Sequence, residues 1–363
     1  MHRRLVLGTA AAAAAPAPLA APALAQTQNP EIRWRLTSSF PRNIDIIFGG
    51  AENMARRVAL LTDNKFQIRC FPAGEIVPGF QVLDAVQAGT IECGQTSSLF
   101  FTGKEPSFAF FANLPFGLTA RQMGAWMRHG GGKEAAAELY ADYSIVGLAA
   151  GDTGVQMGGW FRREVKSLAD LQGLKFRVSG YAGNMFQRMG ASPTQIAPAD
   201  IYPALERGAI DAAEFIGPYD DEKLGFVRVA PFYYAPGFWE ASSRGVLMVN
   251  RRAWDALPAH YRAALELGAS DLEVEMPSRY DDQNPKALRR LVAAGAQLRI
   301  WPREVMQAGW RAAHELYEET AAKDARFRRI YENWRAYRDE QYQWFRVAEH
   351  TYESFAFAAA AAR

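Results

Sequence analysis

Along residues 32–38 apolar and polar positions alternate. Ile32, Trp34 and Leu36 fall on one face and Arg33, Arg35 and Thr37 on the other. That period of two is a strand with one buried side. Ser38-Ser39-Phe40-Pro41 closes it with turn formers. The spacing then widens to three and four: Ile47, Ala51, Met54, Val58 and Leu61 form the stripe of an amphipathic helix. Residues 66–71 read as a second strand. Strand, helix, strand opens a parallel α/β unit.

The grammar recurs. Val82 to Glu92 reads as a helix, a glycine stop at Gly89 and a strand, and Ile201 to Asp211 has the same order around Gly208. Residues 174–178 followed by 182–189 repeat the strand, small-residue loop and helix of 32–36 and 43–50. We read two related α/β lobes. Ligands of open parallel sheets sit beyond the carboxyl ends of the strands. The cleft between the lobes is therefore expected at 37–42, 94–100, 179–184 and 213–219. The Gly- and aromatic-rich stretches 151–160 and 235–245 are candidates for crossing between lobes. From Pro258 the pattern is helical: 259–276, then a stretch that Pro277 and Pro285 interrupt or kink, then 303–323 and 327–357. The last region is strongly aromatic, suited to docking on its own lobe or on a second copy.

The first 25 residues differ from the rest. His2-Arg3-Arg4 precedes an Ala-rich apolar run, and Ala23-Leu24-Ala25 gives a small-x-small cleavage pattern. This is the form of an export signal, compatible with the Sec or the twin-arginine route. The 363 residues carry 41 Lys and Arg against 39 Asp and Glu. Removing Arg3 and Arg4 leaves 39 against 39, so no basic footprint for nucleic acid exists. Cys70 and Cys93 allow one disulfide or two buried thiols, and no CxxC is present.

Motifs for catalysis are missing. No G-x-S-x-G elbow, no H-E-x-x-H and no dinucleotide G-x-G-x-x-G occurs. Gly130-Gly131-Gly132-Lys133 departs from the phosphate-loop pattern on both sides. Polar residues in apolar settings remain. Gln156 lies in Gly154-Val155-Gln156-Met157-Gly158-Gly159-Trp160-Phe161, as a satisfied core amide or a ligand contact. Arg177 lies near the end of a strand before Ser179-Gly180. It belongs either to an exposed strand face with Lys175 or to the cleft, where its planar fork matches a carboxylate. Glu214 ends an apolar strand and Glu240 follows Pro236-Gly237-Phe238-Trp239. Buried carboxylates require a cation or several donors; each pairs with an Arg, Arg244 being near, or both join the Gln156 amide as hard oxygen ligands suited to Na+ or Ca2+. The same two acids could serve acid–base chemistry.

The segments Thr153 to Glu164, Asp200 to Glu206 and Gly217 to Phe226 resemble the DctP-type solute-binding proteins of TRAP transporters, and the likeness runs from the leader to the last helix. Within that family the chain is most similar to members that bind 2-oxo acids. The resemblance implies an α/β, two-lobed periplasmic binding protein with a long helix spanning both lobes and a helical C-terminus. It divides the chain into a signal peptide (1–25), lobe 1 (26–150 with part of 241–285), lobe 2 (151–240 with part of 286–330) and a C-terminal helix (331–363). It implies that Arg177 clamps a ligand carboxylate. Gln156, Glu214, the backbone at Phe215 and Glu240 would surround a metal ion, Na+ first and Ca2+ as the alternative, with Gln156, Phe215 and Glu240 also against the substrate. A 2-oxo acid-binding member of the family carries Trp where Phe215 stands, which a backbone ligand survives. A Tyr-rich cleft segment is replaced here by Ser97-Ser98-Leu99-Phe100-Phe101-Thr102, which points to a less polar pocket and a more apolar acid. The implied partners are a small organic anion, TRAP membrane subunits and, through the C-terminal helix, a second copy of the chain. Binding without chemistry is the expectation. The alternatives are a secreted metal-dependent lyase or isomerase using Glu214 and Glu240, and a sensory binding subunit.

Overall fold

The computed structural model describes residues 29–362, so the leader lies outside the described residues. The strands, in chain order, are β1 (Ile32–Ser38), β2 (Phe66–Phe71), β3 (Cys93–Thr96), β4 (Ile145–Asp152), β5 (Trp160–Phe161) and β6 (Lys175–Arg177). They continue as β7 (Ser192–Thr194), β8 (Ala212–Ala213), β9 (Phe232–Ala235), β10 (Arg244–Asn250) and β11 (Gln297–Ile300). One sheet has the order β2-β1-β3-β10-β4 and the other β11-β9-β5-β8-β6-β7. Each starts from parallel pairs, β1 with β2 and β3, and β6 with β7 and β8. The sheets are mixed rather than parallel throughout, because β10 and β5 run antiparallel to their neighbours.

The alternation of β1 holds as far as Leu36. Thr37 and Ser38, on opposite faces, are both buried. Ser38 shares the buried face of Trp34 and Leu36, and helix Val82–Gln87 covers the face of Thr37, lying so close that a Cβ on its neighbour Gly94 would clash with Val82 Cγ1. Helix Ile47–Leu61 buries Ile47, Ala51, Met54 and Val58 as its stripe requires, but Leu61 at its end is exposed. Gly89 and Gly208 both stop their helices at a φ of 71°, a left-handed conformation that favours glycine.

The chain passes between sheets twice, through 153–159 from β4 to β5 and through 236–243 from β9 to β10. A third link is the helix Ala259–Ala293, which runs through Pro277 and Pro285 without interruption. Its Tyr261, Leu265 and Leu272 belong to the core under the first sheet, and its Met276, Tyr280 and Leu291 to the core under the second. Burial on both sides offsets the hydrogen bonds that the two prolines remove. This is the two-lobed α/β architecture with a spanning helix that the sequence leads one to expect.

Helices Arg303–Lys323 and Ala325–Val347 join both lobes from behind. Tyr317, Phe327, Tyr331 and Trp334 share a core with Phe110 and Trp126 on one side and Tyr181 and Phe186 on the other. Tyr317 Oη donates to Pro115 O at 2.8 Å and Trp126 Nε1 to Asn333 Oδ1 at 2.9 Å. The terminal helical region starts at Ala325, earlier than position 331, and bends at Ala348 before a last helix, Glu349–Ala361. The two cysteines are unpaired; they sit on β2 and β3, the strands on either side of β1. Among the described residues no helix is long and apolar enough to cross a membrane.

Candidate functional site

A cavity opens where the strand ends of the two sheets face each other. Its walls come from the turn after β1 (Phe40), from β3 and the turn beyond it (Gln95 to Phe100), from both crossing segments, and from the ends of β6 and β8. These are the loops that the strand–helix pattern places at a cleft. Its volume of about 50 Å³ is several times the ~10–15 Å³ that one water requires on the same measure. That room suits a small molecule rather than a sugar acid.

Arg177, Gln156, Glu214, Phe215 and Glu240 all line this one cavity. Arg177 ends β6. Lys175, two residues earlier, is exposed, whereas Arg177 is only 2% exposed, so the strand's polar face passes from solvent into the cleft within one repeat. Its guanidinium is held on three sides: Nε donates to Ile196 O at 3.2 Å, Nη1 to the Glu214 carbonyl, and Nη1 meets Glu214 Oε2 at 3.3 Å. The Phe215 ring lies 5.9 Å from its Cζ. Burial pulls the Arg177 guanidinium below its ordinary value, while Glu214 and Glu240 oppose that shift.

Gln156 sits on the first crossing segment, whose backbone bonds to the second: Gln156 N donates to Glu240 O at 3.1 Å and Gly237 N to Gln156 O at 2.9 Å. Its side-chain orientation follows from Thr153. The Thr153 hydroxyl donates to Gly154 O and accepts from Gln156 Nε2, both at 3.0 Å. The amide oxygen is thereby left as a buried acceptor with no partner. Glu214 Oε1 is a second buried, unpartnered oxygen in the same wall. Burial raises the Glu214 carboxyl, and Glu240 raises it further against the pull of Arg177. Burial pushes Glu240 to about 7, with Arg177 and a Ser243 hydrogen bond opposing. The cavity thus holds two carboxylates beside the Arg177 guanidinium and a free amide oxygen, while the Arg244 guanidinium in its wall is paired with Glu273.

Arg244 is not the partner of Glu240. It pairs with Glu273 of the spanning helix, which also binds Arg128, and it lies near Asp152. Ser98 is turned away from the cavity, its Oγ donating to Phe108 O at 2.9 Å, while Ser97, whose Oγ accepts from Leu99 N at 3.4 Å, lines it with the apolar Leu99 and Phe100. Sequence reasoning missed Thr153, Ser179 and Met276 as individual wall residues. The first two had a signal: Thr153 lies three residues before Gln156, and Ser179 lies two after Arg177 in extended chain. Met276 had none, since its place depends on how the spanning helix packs. Among the described residues no cluster of three or more His, Cys, Asp and Glu side chains suits a metal. An ion here would have to use amide and backbone oxygens as well.

At the cleft's edge Asp45, just before helix Ile47–Leu61, accepts from Lys223, from Tyr219 Oη at 3.2 Å and from Arg279 Nη2 at 3.2 Å. This ties the first lobe to the second lobe and to the spanning helix. Behind it, Tyr280 Oη donates to Asp220 at 2.6 Å, and Tyr233 Oη and Trp160 Nε1 donate to Asp221 at 2.7 and 2.9 Å.

The family profile described as DctP, bacterial extracellular solute-binding protein, family 7, matches residues 37–324. The chain is 46% identical over 361 residues (98% of this chain, 99% of the relative) to a monocarboxylate 2-oxoacid-binding periplasmic protein of Nostoc sp.. It resembles the crystal structure of a TRAP transporter solute-binding protein from Bordetella bronchiseptica RB50 at 48% identity and a TM-score of 0.91, over 92% of this chain and 99% of that one. That protein is a mixed-occupancy dimer with copurified calcium and picolinate in one site and an apo site in the other. A TRAP periplasmic solute-binding protein from Pseudoalteromonas atlantica T6c, with bound sodium and pyruvate, matches at 36% identity and a TM-score of 0.87, over 89% and 99% of the two chains.

Burial beside the cleft has a consequence for stability. It pushes Asp220 from 3.8 to about 6 and Asp221 to about 7. Both carboxyls are raised, so the folded chain keeps protons that the unfolded chain releases. Their contribution to stability is complete below about pH 4 and is lost as pH rises through 6 and 7. Thermal unfolding of the ligand-free protein should give a higher midpoint at pH 5 than at pH 8, and Asp221→Asn should shrink that difference. An unchanged difference in the variant would exclude Asp221 as its source.

Proposed function

The chain belongs to the DctP family of bacterial extracellular solute-binding proteins, and from that premise we propose that it is the periplasmic solute-binding component of a TRAP transporter. It captures a small 2-oxo monocarboxylate and delivers it to the transporter's membrane subunits without altering it. The observation that carries the reading is the cavity itself. The Arg177 guanidinium shares its wall with two unpartnered oxygens, Gln156 Oε1 and Glu214 Oε1, in a space sized for a small acid.

The donor set suits a hard cation. Gln156 Oε1, the Glu214 and Glu240 carboxylates and the Phe215 carbonyl are all oxygen, without the sulfur or imidazole that zinc prefers. Na+ fits, with Ca2+ as the alternative, as in the relatives with sodium or calcium. A bound cation supplies the positive charge that offsets the two carboxylates and turns a repulsive pocket into one that attracts an anion. Arg177 binds and orients the ligand carboxylate. Phe40, Ile47, Leu99, Phe100 and Met276 exclude water and receive the ligand's tail. The tail is therefore short or apolar, from pyruvate to a branched 2-oxo acid. Contacts across the lips, such as Asp45 with Lys223 and Tyr219, exist only when the lobes are together, so they favour the closed form. The lyase reading uses the same two glutamates but has no comparable support among the relatives.

A second copy covers the last helix. Glu349–Ala361 has no buried residue, and Tyr352, Phe355 and Phe357 are each at least 70% exposed. Such a row needs a partner.

Three outcomes follow. Replacing Arg177 by Ala should weaken pyruvate binding by about 2–5 kcal/mol, the loss expected for one partner of a buried charge pair; calorimetry giving near-wild-type affinity would sink the clamp. Pyruvate titrated in metal-stripped, Na+-free buffer should bind far more weakly than with Na+ or Ca2+ restored, and equal affinity would remove the ion from the site. Ending the chain at Val347 should convert a dimer to a monomer in native mass spectrometry with ligand affinity kept. A shortened chain that stays dimeric, or a full chain that is monomeric, contradicts the terminal interface.

A further inference from the structure

Ser179 follows Arg177 by two residues, in extended backbone with φ −108° and ψ 161°. That spacing turns its side chain to the same side as the guanidinium, and both residues line the cavity. Ser179 also occupies the N-cap position of helix Gly180–Arg188. A serine hydroxyl there ordinarily accepts a hydrogen bond from a first-turn N–H. Here it makes no capping bond. Its Oγ is buried with no partner at all, in a residue 2% exposed. An unsatisfied buried hydroxyl is unfavourable, and nothing in the protein offsets it.

The other polar side chains of the wall narrow the choice. In the first lobe Gln95 is fully engaged: Nε2 donates to Ile47 O at 2.7 Å, and Oε1 accepts from Ser38 Oγ at 2.9 Å. Thr96 Oγ1 is within 2.6 Å of Ser39 Oγ. The unpartnered Gln156 Oε1 and Glu214 Oε1 can only accept. Arg244 Nε can donate, but its terminal nitrogen is committed to Glu273. Ser97 Oγ accepts from Leu99 N at 3.4 Å, Thr153 Oγ1 donates to Gly154 O at 3.0 Å, and Ser243 hydrogen-bonds Glu240. Among these wall hydroxyls Ser179 is the one with no hydrogen bond at all, and it lies beside Arg177 with a proton to give.

We propose that Ser179 is a substrate-binding residue whose hydroxyl donates to the carboxylate of the bound acid alongside Arg177. The proposal rests on reading the cavity as an acid site. The serine gives up its cap to keep its proton for the ligand. An unsatisfied group in the free protein becomes a charge-assisted hydrogen bond in the complex, so the interaction is made only when the site is filled. Because the carboxylate is common to all 2-oxo acids, Ser179 contributes to affinity for the whole class and not to the choice of tail.

The test is Ser179→Ala in the full chain, with pyruvate as probe and Na+ present. Loss of a hydrogen bond to a charged group should weaken pyruvate binding by roughly ten- to a hundredfold. The unfolding midpoint of the ligand-free variant should stay the same or rise, since no cap is lost. Pyruvate affinity within threefold of wild type overturns the proposal. So does a ligand-free midpoint lowered by about 2 °C or more, the mark of a lost structural bond. Arg177→Ala, measured in parallel, separates the two failures. If it too binds pyruvate normally, the acid site itself is misplaced; if it alone loses binding, only the role of Ser179 falls.

Discussion

The Arg177 guanidinium and the Glu214 carboxylate meet out of water, at the ends of two adjacent strands, and Glu240 stands near them without an ion pair of its own. One positive and two negative groups in a dry space are a poor arrangement for a protein alone. Burial is the main reason that both glutamates are pushed toward their neutral forms, and for Glu214 the nearby Glu240 adds to it. The imbalance also bears on what the space accepts. On the proposed reading a cation among the oxygens would restore balance, and an anion would then sit between that cation and Arg177.

The fold exists to hold that arrangement. Arg177 and Glu214 are on neighbouring strands, and the Glu214 N–H donates to the Arg177 carbonyl at 3.1 Å, so their separation is set by a sheet ladder. Gln156 and Glu240 are on the two crossing segments, which are bonded to each other. The polar half of the site is therefore fixed by the second lobe and the crossings. The first lobe brings Phe40, Leu99 and Phe100, beside Gln95 and Thr96 that are already hydrogen-bonded within it. Motion of one lobe against the other would open or cover the cavity without disturbing the groups proposed to bind the ligand. Met276 and Tyr280 on the spanning helix lie in the core beneath this movement.

Much of this is legible in the chain. The β1 alternation, the two glycine stops and the strand-end loops locate the cleft, because backbone period and left-handed glycines are local properties. Gln156, Arg177, Glu214 and Glu240 stand out because each is a polar residue in an apolar run. The resemblance then assigns them a task. What the sequence hides is nonlocal. Thr37 looks exposed until a helix covers it. Pro277 and Pro285 look like breaks until packing on both lobes holds the helix straight through them. Arg244 looks like a partner for Glu240 until the spanning helix brings Glu273 to it. Ser179 looks like an ordinary helix cap, and only its unpaired hydroxyl shows otherwise.

The most direct measurement is a crystal structure of the protein with pyruvate and Ca2+, the ion located by its anomalous scattering. The account predicts one ion bonded to Gln156 Oε1 and to the Glu214 and Glu240 carboxylates, with the acid between that ion and the Arg177 guanidinium. An acid bound elsewhere, or bound in this cavity with Arg177 still turned only toward Glu214 and no ion among those oxygens, would contradict it.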